Sequence, residues 1–423
     1  MNVLIYSRPW NNKENKFIVK KIFPNAKTLI ISDFKSVGDV WIGQWHYKSC
    51  SQSIFTDTEI EAIIKRCRFL RSLHYNIAKK LVNNVSYYVY QLVCDENFDF
   101  LYSQVVDCYT MDIIFRIFKK RNIPIISLIN SFIQGYSRLT LYGETVKCRD
   151  NISKEEVENI IHMLNNIEYK PNFKLNKNKK KIELILYFYR RKIIQNIIFP
   201  LIKLLQNDKY NYHYNTIEFH KKNIKNYIPE YLNQCFCNIE QYVFHNTDIY
   251  VPLHYTPEAT VDYWCDNINH IDYEKFILNF IKNSSPNLRF FVKEHPAKYG
   301  KRDVSFYDEL IKLKNVYLVH PYDNSNSLLE KIPNVLVTTG SVGIEAIIRG
   351  KHVFCTSKNY YSDIAGLTIV KFLNQEIIEN DKIINTPNEF MFSILKNHFP
   401  FPKENVDFKL LKEYIKLYAN KKK

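Results

Sequence analysis

Short apolar runs alternate with stretches of helical period along most of the chain. Residues 3–6 and 28–32 are apolar runs of strand length, and a short helical stretch over 16–23 between them ends near Pro24. Over 56–84, Ile60, Ile63, Ile64, Cys67 and Leu70 recur at helical spacing, which predicts one long amphipathic helix. A strand over 98–103, a helix over 107–121 and a strand over 123–129 continue the alternation. A second block of the same kind starts near Gln241. Its predicted strands are 242–244, 249–253, 288–292, 316–319, 335–338 and 352–354, and its predicted helices are 272–284, 305–313, 325–331 and 342–349. A last helix over 408–418 runs into Lys421-Lys-Lys423. Strands alternating with helices predict parallel sheets covered on both faces. The fold class expected is therefore α/β, with two Rossmann-like doubly wound domains facing a cleft. Their expected bounds are 1–235 and 236–395, followed by a terminal helix and basic tail over 396–423.

Composition narrows the class. A chain of 423 residues is too long for one ordinary core and suits two domains. Hydrophobic residues at 46% and charged residues at 24% exclude a largely disordered chain. Only 9 Gly and 15 Pro exclude collagen-like or Gly/Pro-rich sequence. The 31 Tyr and 28 Phe accompany much Lys, Asn and Ile, a bias expected of an AT-rich genome. The net charge of +16 calls for an anionic partner: nucleic acid, an anionic membrane face or a phosphorylated substrate. The 9 cysteines are scattered without a CxxC; Cys235 and Cys237 form a CxC pair, short of a zinc site, so buried thiols in a reducing cytosol are expected. The N-terminus lacks the basic-then-apolar pattern of a signal peptide. The most apolar window, 182–205, is broken by Arg190, Arg191, Lys192 and Lys203 and predicts no spanning helix. From Lys174 to Lys192 there are eight basic residues and one acid, Glu183. This insertion, near 174–205, reads as a basic amphipathic helix kinked at Pro200. Such a helix fits an anionic membrane surface and equally a solvated face.

The densest chemical signal lies between Asn334 and Phe354. Three of the nine glycines, Gly340, Gly343 and Gly350, fall inside it. The pattern is strand, Thr338-Thr-Gly-Ser341 turn, helix, turn, strand. A helix starting at the carboxyl edge of a parallel sheet presents free N–H groups and its positive dipole end to an anion. Thr339 and Ser341 add hydroxyls, and Glu345, one turn in, can accept from ribose hydroxyls. A capped turn without ligand, with Ser341 as N-cap, has the same pattern. The segment is neither a Walker A loop nor GxGxxG. A second signal is the strand ending in Lys293-Glu-His-Pro296. There His295 can donate to a phosphate, Lys293 can neutralise it, and Pro296 stops the strand. Pro252-Leu-His-Tyr-Thr-Pro-Glu258 places His254 and Glu258 in a loop. Tyr136-Ser-Arg-Leu-Thr-Leu-Tyr-Gly-Glu144 places Arg138, Thr140 and Glu144 toward the same cleft, although its spacing is equally that of an ordinary loop.

These motifs, with Val316-Tyr-Leu-Val-His-Pro321 between them, resemble the bacterial capsule polysaccharide biosynthesis family over about residues 240–365. That family includes transferases that add Kdo from CMP-Kdo. The resemblance implies the B-type glycosyltransferase (GT-B) fold, with residues 1–235 on the acceptor side and 236–395 holding a nucleotide sugar. The His-Pro pair with a later Ser is also similar to bacterial sialyltransferases, in which such residues contact the phosphate of a CMP donor. By resemblance His295 and Ser341 would hold the donor phosphate, lined by Thr339 and Gly340; Lys293 and Pro296 join the donor site from the strand exit read above. Arg138, Thr140 and His254 would lie on the acceptor side. Glu258, Glu144 and Asp107 are the candidates for the catalytic carboxylate. No metal or other cofactor is expected, for the chain has no DxD; Asp57-Thr-Glu59 reads as the acidic first turn of a helix. The partners expected are a nucleotide-sugar donor, with CMP favoured, a glycan or lipid-linked acceptor, and an anionic membrane surface. Nucleic acid is not expected, since the Tyr and Phe excess is spread through apolar strands. The expected location is cytoplasmic, peripheral at the inner membrane. Two other readings remain: a CDP-polyol phosphotransferase of teichoic-acid-like polymers, whose usual Asp-Tyr-Ser-Ser turn is missing, and a noncatalytic polysaccharide- or nucleic-acid-binding protein.

Overall fold

The computed structural model describes residues 1–166, 168–169, 181–215, 224, 228–381, 385–400, 408 and 411–413. Twelve strands appear in chain order among them: β1 Asn2–Tyr6, β2 Lys27–Ser32, β3 Val40–Trp41, β4 Phe100–Ser103, β5 Ile125–Asn130, β6 Tyr136–Leu139, β7 Ile249–Pro252, β8 Phe290–Lys293, β9 Val316–Val319, β10 Asn334–Val337, β11 His352–Cys355 and β12 His398–Pro400. They form two sheets. The first has the order β12-β6-β5-β4-β1-β2-β3 and the second β11-β10-β7-β8-β9. Strands β1 to β5 pair in parallel, as do all five strands of the second sheet. In each sheet the order reverses next to its first strand, between β1 and β4 and between β7 and β10. Open α/β sheets bind ligands at the carboxyl end of such a reversal.

The apolar runs become strands because both faces are covered; Val3, Leu4, Ile5, Phe290, Phe291 and Val292 are fully buried. The helix 325–331 and the strand 316–319 fall where the pattern put them. Three elements differ. The long helix expected over 56–84 is three helices, Asp57–Arg66, Arg68–Arg71 and Tyr75–Glu96. The break is at Cys67, whose backbone is extended. Arg66 and Arg68 both reach the same loop of the second domain: Arg66 donates to the Asp262 and Cys265 carbonyls, and Arg68 to the Asp262 carboxylate. Residues two apart on one continuous helix face opposite ways, so the interruption is what lets both point there. The run 242–244 does not join the sheet. Tyr242 and Phe244 pack their rings on Phe291, at 5.9 and 5.0 Å, as an outer layer. Residues 136–139, read as loop, form β6, which pairs antiparallel with β5 and with β12.

The covalent order does not follow the domains strictly. Helix Lys154–Asn165 buries Val157, Ile160 and Leu164 in the second domain's core, beside Ile344 and Ile394. After helix Pro387–Leu395 the chain returns to the first sheet as β12, and Phe408 and Leu411 pack onto that domain with Ile18 and Val19. The Asp57-Thr-Glu59 segment is the first turn of its helix, closed by a capping box in which Thr56 and Glu59 satisfy each other's backbone N–H groups. Of the insertion expected near 174–205, residues 181–205 are described. They form helix Lys181–Ile193, a π turn Ile194–Ile198 and helix Phe199–Gln206. Residues 174–180 lie outside the described residues, as does most of the terminal stretch 408–418. No helix among the described residues is long and apolar enough to cross a membrane.

Candidate active site

Three strand exits converge at the reversal of the second sheet. β7 runs out through Leu253 and His254, β10 through Thr338-Thr-Gly-Ser341, and β8 through Glu294 and His295. His254, expected on the acceptor side, joins two of these exits: its Nε2 accepts from the Thr339 N–H at 3.1 Å. Burial lowers its pKa to about 3, so the ring is neutral with its proton on Nδ1. The Thr339 hydroxyl is buried and has no hydrogen-bond partner. Ser341 occupies the cap position of helix Val342–Ile348, yet its side chain makes no capping bond, whereas Asp303 and Asn324 cap their helices. Two polar side chains in one turn are thus not consumed by the fold. The glycines divide between roles. A Cβ on Gly343 would collide with the Tyr361 hydroxyl, which donates to the Gly340 carbonyl at 2.7 Å, so this glycine serves helix packing. Glu345 is buried on the same helix, and burial raises its carboxyl to about 7 despite nearby Arg349.

The Lys-Glu-His-Pro exit divides its work. His295 Nδ1 accepts from the Ala297 N–H at 3.1 Å, and Pro296 opens a short 3-10 turn. Burial lowers the His295 pKa to about 4, which leaves a neutral ring with Nε2–H as its donor. Lys293 is buried, and its Nζ donates to the Pro321 carbonyl at 2.9 Å; burial lowers its pKa to about 8. Glu294 was not singled out by the sequence pattern. Burial works against its charge, but Arg302 and the Tyr307 hydroxyl hold its carboxyl below the usual range. Arg302 is fully buried, binds Glu294 at 2.5 Å and Glu274 at 3.0 Å, and donates to the His254 carbonyl at 2.7 Å. It therefore ties the exits of β7 and β8 together. The available signal was an acid between two basic residues at the end of a buried strand, which demands a cation from elsewhere.

A cavity of about 440 Å³ lies between the domains. Arg8, Trp10, Asp107 and His213 line it from the first domain, and Glu258 and Trp264 from the second. Burial raises the Glu258 carboxyl to about 7, and its Oε2 accepts from the Thr260 hydroxyl at 2.8 Å. Asp107 is held differently. Burial pushes its carboxyl up, but the Arg8 guanidinium, bound through both carboxylate oxygens, and His213 keep it below the usual range. Arg8 leaves β1, Asp107 follows β4, and both therefore stand at the first sheet's own reversal. Asp33, after β2, accepts from Tyr6, Thr110 and His213; burial pushes its carboxyl up, but His213, Arg8 and Tyr6 bring its pKa to about 2. Sequence reasoning missed Arg8, Asp33 and His213. Asp33, His213 and Cys108 also lie close enough to share a cation. However, Arg8 Nη2 sits 3.3 Å from Cys108 Sγ, and burial holds that thiol protonated, so the donor set does not suit one.

Two of the three candidate carboxylates, Glu258 and Asp107, are thus brought to one cavity. Glu144 is spent on its own turn, accepting from the Thr140 hydroxyl and from the Leu141 and Tyr142 N–H groups. Arg138 is buried at the domain junction, stacked 3.7 Å from the Tyr360 ring centre and 5.4 Å from that of Trp264, and its Nη1 has no hydrogen-bond partner. A larger cavity, about 970 Å³, shares Tyr212 and Pro257 with the first and extends along helix Tyr273–Asn283. Thr339, Gly340 and Ser341 line neither cavity.

Two Rossmann-like sheets meeting at their carboxyl ends across a cleft define a two-domain α/β protein of the GT-B type. Residues 203–382 match the family described as "Capsule polysaccharide biosynthesis protein". Among solved structures it is similar to the beta Kdo 2,7 transferase of Thermosulfurimonas dismutans KpsC, at 13% identity over 100% of both chains with a TM-score of 0.38. It is also similar to the UDP-GlcNAc 2-epimerase of Neisseria meningitidis, at 14% identity over 93% of this chain and 98% of that one, with a TM-score of 0.30. Anabaena Alr3699/HepE, solved with UDP-glucose, shares 10% identity over 99% of this chain and 100% of its own, with a TM-score of 0.30. No curated protein sequence matches the chain.

Proposed function

We propose that the protein is a glycosyltransferase of capsular or other surface polysaccharide synthesis. The observation that carries this reading is the interdomain cavity, with a carboxyl poised near neutrality on one wall and the Arg8–Asp107 pair on the other. In the reaction proposed, an acceptor hydroxyl attacks the anomeric carbon of a nucleotide sugar. The bond from that carbon to the phosphate oxygen breaks, the nucleotide leaves with its phosphate, and the hydroxyl proton passes to Glu258. A base with a pKa near the working pH is the efficient choice for that transfer. The donor phosphate would lie at the second sheet's reversal, receiving the neutral His295 Nε2–H and the hydroxyls of Ser341 and Thr339, with Glu345 toward the ribose. A CMP-activated acidic sugar, Kdo or a relative, is the donor favoured. The buried guanidinium of Arg138, short of one partner, is what such a sugar's carboxylate would satisfy. The acceptor proposed is a glycan or lipid-linked glycan at the cytoplasmic face of the inner membrane.

The test is a donor screen: incubation with CMP-, CDP-, UDP-, GDP- and dTDP-conjugates, reading nucleotide release. Release from a CMP-sugar, lost in Ser341→Ala and His295→Ala variants that keep their fold, is expected. Turnover of a CDP-polyol in place of any sugar nucleotide would overturn the proposal.

A further inference from the structure

The helical insertion spans the two domains. Near its start Leu184 is buried in the second domain's core with Leu232 and Val251. Near its end Phe199 and Ile202 pack on Phe34, Val37 and Tyr214 of the first domain. Along the outside, Ile182, Leu186, Tyr189, Ile193, Ile197, Leu201, Leu204 and Leu205 are exposed, the last two by 78% and 82%. Exposed apolar residues on one element in such number are not the scatter of an ordinary surface.

The π turn brings Leu201 and Leu205 into one stripe with Ile182, Leu186, Tyr189 and Ile193, and leaves Leu204 at its edge. At about 100° per residue, Ile182, Leu186, Tyr189 and Ile193 fall within about 60° of one another. An unbroken α-helix would then carry Leu201 and Leu205 about 100° and 140° away from Ile182. The π turn Ile194–Ile198 admits one extra residue, which turns the following segment back by about 100° and returns both leucines to the stripe. The buried Leu184 and Gln195 lie on the opposite side. Arg190 borders the stripe on one edge at about +80°, and Lys181 and Lys192 on the other at about −100° and −80°. Five basic residues stand against one acid, Glu183, over 181–206.

We infer that this stripe docks the protein onto an anionic lipid bilayer, lying in the interface with its apolar residues among the acyl chains and its basic rims at the headgroups. Charge decides for lipid over a second copy of the chain. Two copies would bring Arg190, Lys181 and Lys192 of each toward those of the other, whereas anionic headgroups neutralise them. The helix that carries the stripe lies beside the cleft, for Phe34, on which its inner side packs, also stacks on His213 of the interdomain cavity at 5.1 Å. This placement rests on the proposed function only in suggesting that a lipid-linked acceptor is presented there; the docking itself needs no catalysis.

The experiment is vesicle co-sedimentation of the full chain. The vesicles are phosphatidylcholine alone or phosphatidylcholine mixed with phosphatidylglycerol, at about 0.1 M and about 0.5 M salt. Wild type is expected to bind the anionic vesicles far better than the neutral ones, and to weaken but persist at high salt because apolar residues insert. Leu186→Glu with Leu201→Glu should reduce partitioning on the order of tenfold or more. Circular dichroism unchanged from wild type keeps this a test of docking rather than folding. Arg190→Glu with Lys192→Glu should abolish the preference for anionic lipid. Equal binding to neutral vesicles, no effect of the leucine pair, or a dimer in sedimentation velocity that the leucine pair dissolves while wild type ignores vesicles would each overturn the inference. Nucleotide release measured without vesicles reports on the transferase reading separately, so either can fail alone.

Discussion

Glu258→Gln separates the chemistry of the cleft from its stability. The Glu258 carboxyl moves from 4.5 to about 7 on folding, with burial as the largest cause. The folded state therefore holds a proton that the unfolded chain has lost between these values. Stability contributed by this group falls as pH rises from about 4.5 through about 7, because ν_U − ν_N is negative there. At about 1.4 kcal/mol per pKa unit, the penalty at pH 8 is about 3.4 kcal/mol, an upper bound because water reaches the cavity. Glutamine keeps the Thr260 contact and never ionises. Urea unfolding at about pH 5 and about pH 8 should then show little difference between variant and wild type at the lower pH and a variant more stable by about 1–3 kcal/mol at the higher. Glu345, raised by the same cause, is present in both proteins and cancels. Transfer activity should fall by about 10²–10⁴-fold in the same variant. In wild type kcat/KM should climb with pH through about 7 as the base ionises. Equal stability of the two proteins at pH 8 would refute the buried-carboxyl account, and retained activity would refute its role as base.

Four further outcomes follow from the same geometry. Arg302→Met leaves Glu294 buried without its cation and should cost about 3–5 kcal/mol in urea unfolding; adding Glu294→Gln should restore much of it. His254→Ala leaves the Thr339 N–H unpaired and should cost about 1–3 kcal/mol, with nucleotide affinity falling in isothermal titration because the turn loosens. Gly343→Ala drives a methyl into the Tyr361 ring and should lower stability by about 1–3 kcal/mol, read as a fall in Tm. Ser341→Ala should weaken nucleotide binding on the order of tenfold or more while Tm stays unchanged, since its hydroxyl supports no bond of the fold.

Local chemistry determined much of this protein. Periodicity marked β9 and helix Ser325–Lys331 to the residue, and Asp57-Thr-Glu59 was legible as the acidic first turn of a helix, because strand burial and helix starts depend on neighbours a few residues away. The Thr-Gly-Ser turn and the His-Pro exit stood out for the same reason, and so did Glu258 as a loop acid. Sequence could not say that Glu144 would be consumed by its own turn while Glu258 kept a carboxyl near neutrality, for that depends on which wall each faces. Arg8, Asp33 and His213 carried no local mark at all. They become one cluster only when the ends of β1 and β2 and the segment around His213 meet, through contacts such as Arg8–Asp107 and Asp33–His213, 99 and 180 residues apart in the chain. The stripe on the outer helix was legible as apolar and basic residues. Only the tertiary structure decided which of them stay uncovered, because the two domains take up one side of the helix and the π turn sets the phase of the other.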